Sequence, residues 1–181
     1  MPNEVMNAIK ERRTVRNFED KPVSDDVLQS ILEAVQWTPS WANTQCWEVV
    51  VIKDQSVKEK VQEAVPKGNP SRKAVVEAPV VLAMCARLKD AGYKKGEVTT
   101  KFGDWFMFDL GLACQNVSLA AHSLGLGSVM MGLYDQDKAA QALNIPEGYE
   151  QVVLMPLGYP SKVPSAPKRR AIEEFCRENT F

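Results

Sequence analysis

Apolar and polar residues follow two different periods along this chain, one typical of helices and one typical of strands. Helical spacing of apolar positions predicts helices at residues 24–35, capped by Ser24, at 54–65, and at 135–143, capped by Asp135. Short β-rich or apolar runs predict strands at residues 47–53, 79–87, 128–131 and 151–157. Because no repeat or linker interrupts this pattern, we expect one domain of mixed α and β layers over residues 1–181.

The longest apolar stretch predicts a central helix from Trp105 to Leu124, ended by Gly125. Residues 110–134 contain no Asp, Glu, Lys or Arg, a length that could span a bilayer. Polar residues and glycines inside the stretch argue against a membrane span. The helix is apolar almost all round, so we expect it to be buried on every side, with a second subunit supplying one wall.

Composition and charge narrow the classes of partner. The 181 residues are 45% hydrophobic, with 22 Lys+Arg against 23 Asp+Glu, so a broad basic surface for nucleic acid is not expected. The four cysteines are widely spread and form no metal or disulfide pattern. The first ten residues lack the apolar core of a secretory signal. We therefore expect a cytoplasmic protein with reduced thiols and no metal.

Two local concentrations of positive charge point to an anion. One follows a short amphipathic segment near the start of the chain and comprises Arg12, Arg13, Thr14 and Arg16. The other lies in a proline-rich tail and comprises Lys168, Arg169 and Arg170. Guanidinium groups match phosphate oxygens bidentately, and a hydroxyl adds a neutral donor. The two clusters predict a single phosphate site, although a solvated helix end would also explain the first of them.

The residues that usually carry acid–base or nucleophilic catalysis are scarce. His122 is the only histidine and lies on the apolar helix, where a core or cofactor-adjacent position is the simpler interpretation. The sequence Gly125-Leu-Gly127 closes a helix and fits neither a phosphate-binding loop nor a dinucleotide fingerprint. An anion site with few acid–base groups is expected where a bound cofactor does the chemistry.

A loop between the second helix and the first strand is rich in amides and hydroxyls. Its sequence is Thr38-Pro-Ser-Trp-Ala-Asn-Thr-Gln-Cys-Trp47. Such side chains could bind a heterocycle edge or a ribityl chain. A polar turn, in which Ser40 and Asn43 bond to nearby backbone, explains the same composition.

Taken in order, these segments resemble the FMN-dependent nitroreductases over nearly the whole chain. The resemblance is carried by Arg12-Arg-Thr-Val-Arg-Asn-Phe18, by the loop 38–47, by Asp109 to Gly127, and by Gly158-Tyr-Pro followed by Lys168-Arg-Arg170. It implies an α+β fold with a mostly antiparallel sheet flanked by helices. It also implies an intertwined homodimer with two FMN molecules at the subunit interface.

The resemblance also implies roles for individual residues. The FMN phosphate would be bound by Arg12, Arg13, Thr14, Lys168 and Arg170. Around the flavin ring, Arg16 and Lys73 would lie near N1 and O2, and Asn69 near the pyrimidine side. Pro39, Ser40 and Asn43 of the other subunit would line the ring and ribityl chain, and the backbone of Gly132 and Leu133 would approach N5.

The activity implied by the resemblance is an FMN oxidoreductase that works by a ping-pong cycle. NADH or NADPH would deliver hydride through flavin N5 to a nitroaromatic, a quinone or a similar electron-poor acceptor, and Arg16 would tune the flavin. Alternatives are a member specialised as a flavin reductase or dehalogenase, and an FMN-binding sensor or storage protein. The sequence departs from the family pattern at Trp41 and Cys46, and residues 89–100, with Tyr93 and Phe102, are either a small lid or a solvated loop.

Overall fold

The computed structural model describes residues 3–181, so the first two residues of the predicted domain lie outside the described part. Its helices are α1 (Glu4–Glu11), α2 (Asp25–Gln36), α3 (Gln55–Gln62), α4 (Ala74–Glu77), α5 (Phe106–Ser123) and α6 (Gln136–Ala142). Its strands are β1 (Trp47–Ile52), β2 (Val80–Arg87), β3 (Tyr93–Lys94), β4 (Glu97–Val98), β5 (Gly127–Ser128) and β6 (Tyr149–Gly158).

Four of the strands form an antiparallel sheet in the order β1-β2-β6-β5. Strand β2 lies inside this sheet, and alternate residues along it face opposite sides. Leu82 and Met84 join a core with α2 and α5, whereas Val81 and Ala83 join a core with α3 and α6. The predicted α+β fold, an antiparallel sheet flanked by helices, is confirmed.

Capping side chains fix where the predicted helices begin. Ser24, Asp54 and Asp135 each accept a hydrogen bond from the backbone N–H three residues later, at 3.4, 3.1 and 3.0 Å. Helix α5 ends as predicted at Gly125, whose φ of 77° lets the Leu126 N–H reach the Ala121 carbonyl at 2.8 Å. The starts and ends of these elements therefore follow from local chemistry.

One sequence prediction is corrected, and two others can be compared with the structure. The third strand was expected at 128–131, but β5 spans Gly127–Ser128 and Met131 makes only an isolated bridge to Leu154. Residues 89–100, expected to be either a small lid or a solvated loop, contain the hairpin β3–β4. Helix α5 was expected to be buried with the help of a second subunit, and in the single chain its Met107 and Phe108 are exposed. The face that a second subunit was expected to cover is thus apolar and open.

The two ends of the chain run side by side next to the sheet. The Val15 N–H donates to the Ser128 carbonyl at 2.9 Å, which adds the segment after α1 to the edge at β5. Farther along, Glu19 N–H donates to the Tyr159 carbonyl at 2.9 Å, and Ser161 N–H donates to the Asn17 carbonyl at 3.1 Å. This pairing brings the proline-rich tail against residues 14–19.

Among residues 3–181, no helix is long and apolar enough to cross a membrane.

Candidate cofactor site

The two basic clusters meet in one cleft, as the sequence predicted they would. A cleft of about 280 Å³ is lined by Arg12, Arg13, Thr14, Arg16, Pro164, Ser165, Pro167 and Arg169. Arg12 is the C-terminal cap of α1, so the first basic cluster begins directly where the helix ends. Pairing of residues 17–19 with the tail holds the other wall in place.

The tail contributes a different cation from the two named by resemblance. Arg169 lines the cleft, whereas Lys168 is exposed and is not among the lining residues. Arg170 turns to Glu174, with 3.3 Å between Nε and Oε2, and also donates to the Glu174 carbonyl. The structure therefore brings Arg12 and Arg169 together and engages Arg170 elsewhere.

The guanidinium groups in this cleft repel one another and are not neutralised by the protein. Burial, followed by the charges of Arg169 and Arg13, lowers the pKa of Arg12 from its usual value. Within residues 3–181, none of these three arginines has a carboxylate within ion-pair distance. A bound phosphate would supply the missing negative charge, so the residues present fit the phosphate of FMN.

A second group of predicted residues is joined by Ser71, which the sequence did not single out. Arg16 Nε donates to Ser71 Oγ at 2.9 Å, and the Ser71 N–H donates to Asn69 Oδ1 at 2.8 Å. Asn69 Nδ2 in turn donates to the Leu133 carbonyl at 2.8 Å. Arg16, Asn69 and Leu133 are therefore held in one network. The Asn69-Pro-Ser71 spacing, typical of an Asx turn, is the signal that could have found Ser71.

The backbone at Gly132 and Leu133 is partly free to meet a ligand. Both carbonyls are engaged, that of Gly132 by Gln136 Nε2 at 3.0 Å and that of Leu133 by Asn69. Neither N–H donates to another residue of the described chain. Two exposed N–H donors are suitable for a heterocyclic acceptor such as flavin N5. Lys73, the residue before α4, is exposed.

Two of the three remaining predicted residues line a separate cleft of the single chain. Pro39 and Asn43 line an open cleft of about 410 Å³ with Gln45 and the end of α2. Ser40 Oγ accepts the Gln45 N–H at 2.9 Å, and Asn43 Oδ1 accepts from Gln45 Nε2 at 3.3 Å. These local bonds are those of the polar-turn interpretation. The phosphate cleft and this loop are not joined within one chain, which is the arrangement required if the loop serves the other subunit.

His122 and the three buried cysteines give the protein little scope for nucleophilic chemistry. His122 lines a cleft of about 210 Å³ that also contains Arg12 and Arg13, so it lies beside the phosphate cleft. Burial raises the pKa values of Cys46, Cys85 and Cys114 to about 12, which keeps these thiols protonated. In the described part of the chain, no cluster of side chains is suited to hold a metal ion.

The segment predicted as a lid is folded and attached to α5. Trp105 Nε1 donates to Thr100 Oγ1 at 2.7 Å, and the Phe102 ring meets the Trp105 ring edge-on at 5.8 Å between centroids. Tyr93 is half-buried in β3, whereas Phe102 is exposed. A second aromatic contact joins Trp41 to Trp105, with centroids 5.0 Å apart. The lid segment and the loop at residues 38–46 therefore share one aromatic cluster.

Comparison with known proteins identifies the family. The model of the nitroreductase family matches residues 9–78 and 66–159. A Methanothermobacter thermautotrophicus protein, provisionally named NADH dehydrogenase/NAD(P)H nitroreductase, is 33% identical over 89% of this chain and 80% of its own. The FMN reductase [NAD(P)H] of Bacillus subtilis is 31% identical over 99% of this chain and 75% of its own.

The fold comparison agrees with the sequence comparison. A nitroreductase-type protein from Desulfovibrio desulfuricans, solved in complex with FMN, superposes with a TM-score of 0.80 at 28% identity and covers 100% of this chain and 99% of its own. The predicted oxidoreductase class and FMN cofactor agree with the names of these relatives. The match of the family model over most of the chain shows that this protein belongs to the nitroreductase family.

Proposed function

We propose that the protein is an NAD(P)H-dependent FMN oxidoreductase. The observation that carries this proposal is the cleft in which Arg12, Arg13 and Arg169 face one another without a carboxylate partner in the described chain. Family membership and the names of the relatives support the same function. Bound FMN would supply two-electron chemistry, taking hydride from a reduced nicotinamide and passing it to an acceptor.

The residues of one chain would hold the phosphate and one edge of the ring. Arg12, Arg13, Thr14 and Arg169 would donate to the phosphate oxygens, with Lys168 or Arg170 joining them only if the tail moves. Arg16 would lie near N1 and O2, where its positive charge favours the reduced, negatively charged ring. Its bond to Ser71 uses Nε, which leaves the two terminal nitrogens of the guanidinium available.

A homodimer completes the proposed site. Pro39, Ser40 and Asn43 lie outside the phosphate cleft of their own chain, so the loop that bears them would serve the neighbouring subunit. The exposed apolar side chains of α5 give the second subunit a surface to cover. Two equivalent sites per dimer follow from twofold symmetry.

The acceptor would be an electron-poor aromatic compound, such as a nitroaromatic or a quinone. No protein nucleophile is required, which agrees with the raised pKa values of the three buried cysteines and with a single histidine. Donor and acceptor would use the same open face of the site in turn, so the kinetics would be ping-pong. The similarity to an FMN reductase [NAD(P)H] favours free flavin as a second class of acceptor.

Anaerobic reduction of the purified protein tests the proposal. We expect a yellow protein whose flavin absorbance bleaches on addition of NADH or NADPH and returns on addition of a nitroaromatic or quinone. Parallel lines in double-reciprocal plots would support the ping-pong cycle, and turnover of free FMN would support the flavin reductase. A protein that does not take up FMN would overturn the proposal, and one that takes it up but is not reduced by either nicotinamide would favour a binding or sensing role.

A further inference from the structure

The loop that bears Pro39, Ser40 and Asn43 contains an unfavourable backbone. Ala42, Asn43 and Gln45 have φ values of 43°, 57° and 48°, in the left-handed region that glycine normally occupies. This region is unfavourable for a residue with a side chain, although asparagine tolerates it better than alanine. Contacts from outside the loop are therefore needed to hold this conformation.

Asp109 supplies the first of these contacts. Its side chain is fully buried in the first turn of α5. Both carboxylate oxygens accept the Trp41 N–H at 3.1 Å, and the Cys46 thiol donates to Oδ2 at 3.6 Å. Trp41 and Cys46 flank the left-handed residues on either side. One carboxylate therefore fixes both ends of the strained segment.

The surroundings of Asp109 indicate that it acts as a hydrogen-bond acceptor. Burial raises its pKa, whereas the bonds from Trp41 and Cys46 lower it, and burial is the larger effect. Both neighbours donate: one is an amide N–H, and the other is a thiol whose pKa is raised to about 12. No Lys or Arg pairs with Asp109 in the described chain, so these donors and the positive end of α5 are its compensation.

Arg87 supplies a second contact from the end of β2. Its Nη2 donates to the carbonyls of Thr44 and Gln45, both at 3.1 Å. The guanidinium is itself held by Glu48 at 2.7 Å and by Asp90 at 2.8 Å. A planar group with five donors can bridge these four partners, which a lysine ammonium cannot do.

We propose that Asp109 and Arg87 are positioning residues for the loop at residues 38–46, and that they hold Pro39, Ser40 and Asn43 in the shape that faces FMN. Neither residue lines the phosphate cleft, so both act through the backbone of the loop. The role of the two residues in holding the loop follows from the geometry alone, whereas the role of the loop in binding FMN rests on the proposed function.

The test begins with Asp109→Asn, which keeps the size of the side chain and removes one acceptor. Asp104→Asn is the matched control, because Asp104 lies just before α5, accepts the Lys89 N–H at 2.6 Å and the Phe106 N–H at 3.3 Å, and makes no hydrogen bond with the loop. The shape of the loop is followed in the FMN-free protein by circular dichroism of the tryptophans, since Trp41 stacks on Trp105. FMN affinity is followed by quenching of flavin fluorescence.

We expect Asp109→Asn to reduce the tryptophan signal of the FMN-free protein and to weaken FMN binding by about tenfold or more, as expected for a lost bond to a charged group. Arg87→Lys should do the same, whereas Asp104→Asn should leave both readouts near wild type. If Asp109→Asn fails to fold, the comparison of Arg87→Lys with Asp104→Asn decides the question.

Two outcomes would overturn the proposal: unchanged readouts in both Asp109→Asn and Arg87→Lys, or equal losses in Asp104→Asn. A wild-type protein that does not bind FMN would instead refute the proposed function. In that case the tryptophan signal of the FMN-free variants still decides whether the two residues hold the loop. The two failures are therefore distinguishable.

Discussion

At the scale of single residues, the most informative feature is which cations lack a protein partner. Arg169 lines the phosphate cleft, whereas Arg170 is paired with Glu174. We expect Arg12→Gln and Arg169→Gln each to weaken FMN binding by about tenfold or more, because each removes a charge-assisted bond to phosphate. Arg170→Gln should have a clearly smaller effect. Titration of the FMN-free protein with FMN at fixed ionic strength measures all three.

The same titrations test whether the phosphate is bound by the tail residue that lines the cleft in this structure or by the two that the resemblance names. Resemblance names Lys168 and Arg170 as phosphate ligands, whereas the structure brings Arg169 to the cleft. A loss in Arg170→Gln that equals or exceeds the loss in Arg169→Gln would contradict the observed geometry. The sequence could not make this choice, because three consecutive cations in an irregular tail carry no periodicity that fixes their directions.

The close approach of Val15 to the backbone of Gly127 makes Gly127 sensitive to substitution. A Cβ atom at Gly127 would lie 2.5 Å from Cγ2 of Val15, in the segment that carries the first basic cluster. We expect Gly127→Ala to destabilise the fold by about 1–3 kcal/mol, the usual cost of overpacking. Gly68→Ala is the control, since nothing lies within 4 Å of its added Cβ. Urea denaturation compares the two, and equal stabilities would show that Val15 can move aside.

At the scale of elements, the sequence predicted correctly those limits of helices and strands that depend on nearby residues. Helix α2 begins at its expected cap, and β1 and β2 lie within a residue of the predicted runs. Strand β5 was misplaced because its limits are set by pairing with Gly158 and Leu157, about thirty residues later in the chain. The short α4 and the hairpin β3–β4 were missed, since two to four residues are too few to show a period.

The contact between α3 and α4 depends on a buried cation. Lys58 is 5% exposed, and its ammonium donates to the Ala78 carbonyl at 2.9 Å, just beyond the end of α4. Burial lowers its pKa below the usual 10.5, and the charge of Asp54 opposes this shift. Between the folded and unfolded pKa values the unfolded chain binds more protons, so the contribution of Lys58 to stability increases as the pH rises toward about 10.5.

We therefore expect wild type to gain stability relative to Lys58→Met as the pH is raised through this alkaline window. The methionine removes the titrating group and keeps most of the apolar stem. Lys60→Met, at an exposed position of the same helix, serves as the control. Wild type should show no such gain in stability relative to Lys60→Met. Urea denaturation at a series of pH values provides the measurement. Parallel profiles for wild type and Lys58→Met would contradict the expectation.

At the scale of the whole molecule, a single chain leaves many large apolar side chains exposed. Helix α1 has no buried residue, although Val5, Met6 and Ile9 share one face of it. The tail is exposed from residue 161 to residue 181. Apolar patches of this kind mark interaction surfaces. The sequence likewise predicted that the all-apolar central helix needs a second subunit to cover one side, and Met107 and Phe108 are exposed in one chain.

The proposed homodimer predicts a large effect from a substitution that the isolated chain would tolerate. Met107 is 59% exposed in α5, so Met107→Lys should cost little in a single chain. If a second subunit covers this face, the ammonium would be buried without a partner, which costs several kcal/mol. We expect Met107→Lys to shift the protein from dimer to monomer, raising the dissociation constant by at least about a hundredfold.

The control for the dimer is a substitution at a similarly exposed apolar position outside α5. Val98, in the hairpin β3–β4, is 51% exposed, and Val98→Lys should leave the dimer intact. Sedimentation equilibrium measures the association, and the flavin absorbance of each species measures its FMN content. Because the loop of one subunit would complete the site of the other, monomeric Met107→Lys should also lose FMN. A Met107→Lys monomer that retains full FMN affinity would show that one chain suffices to build the site.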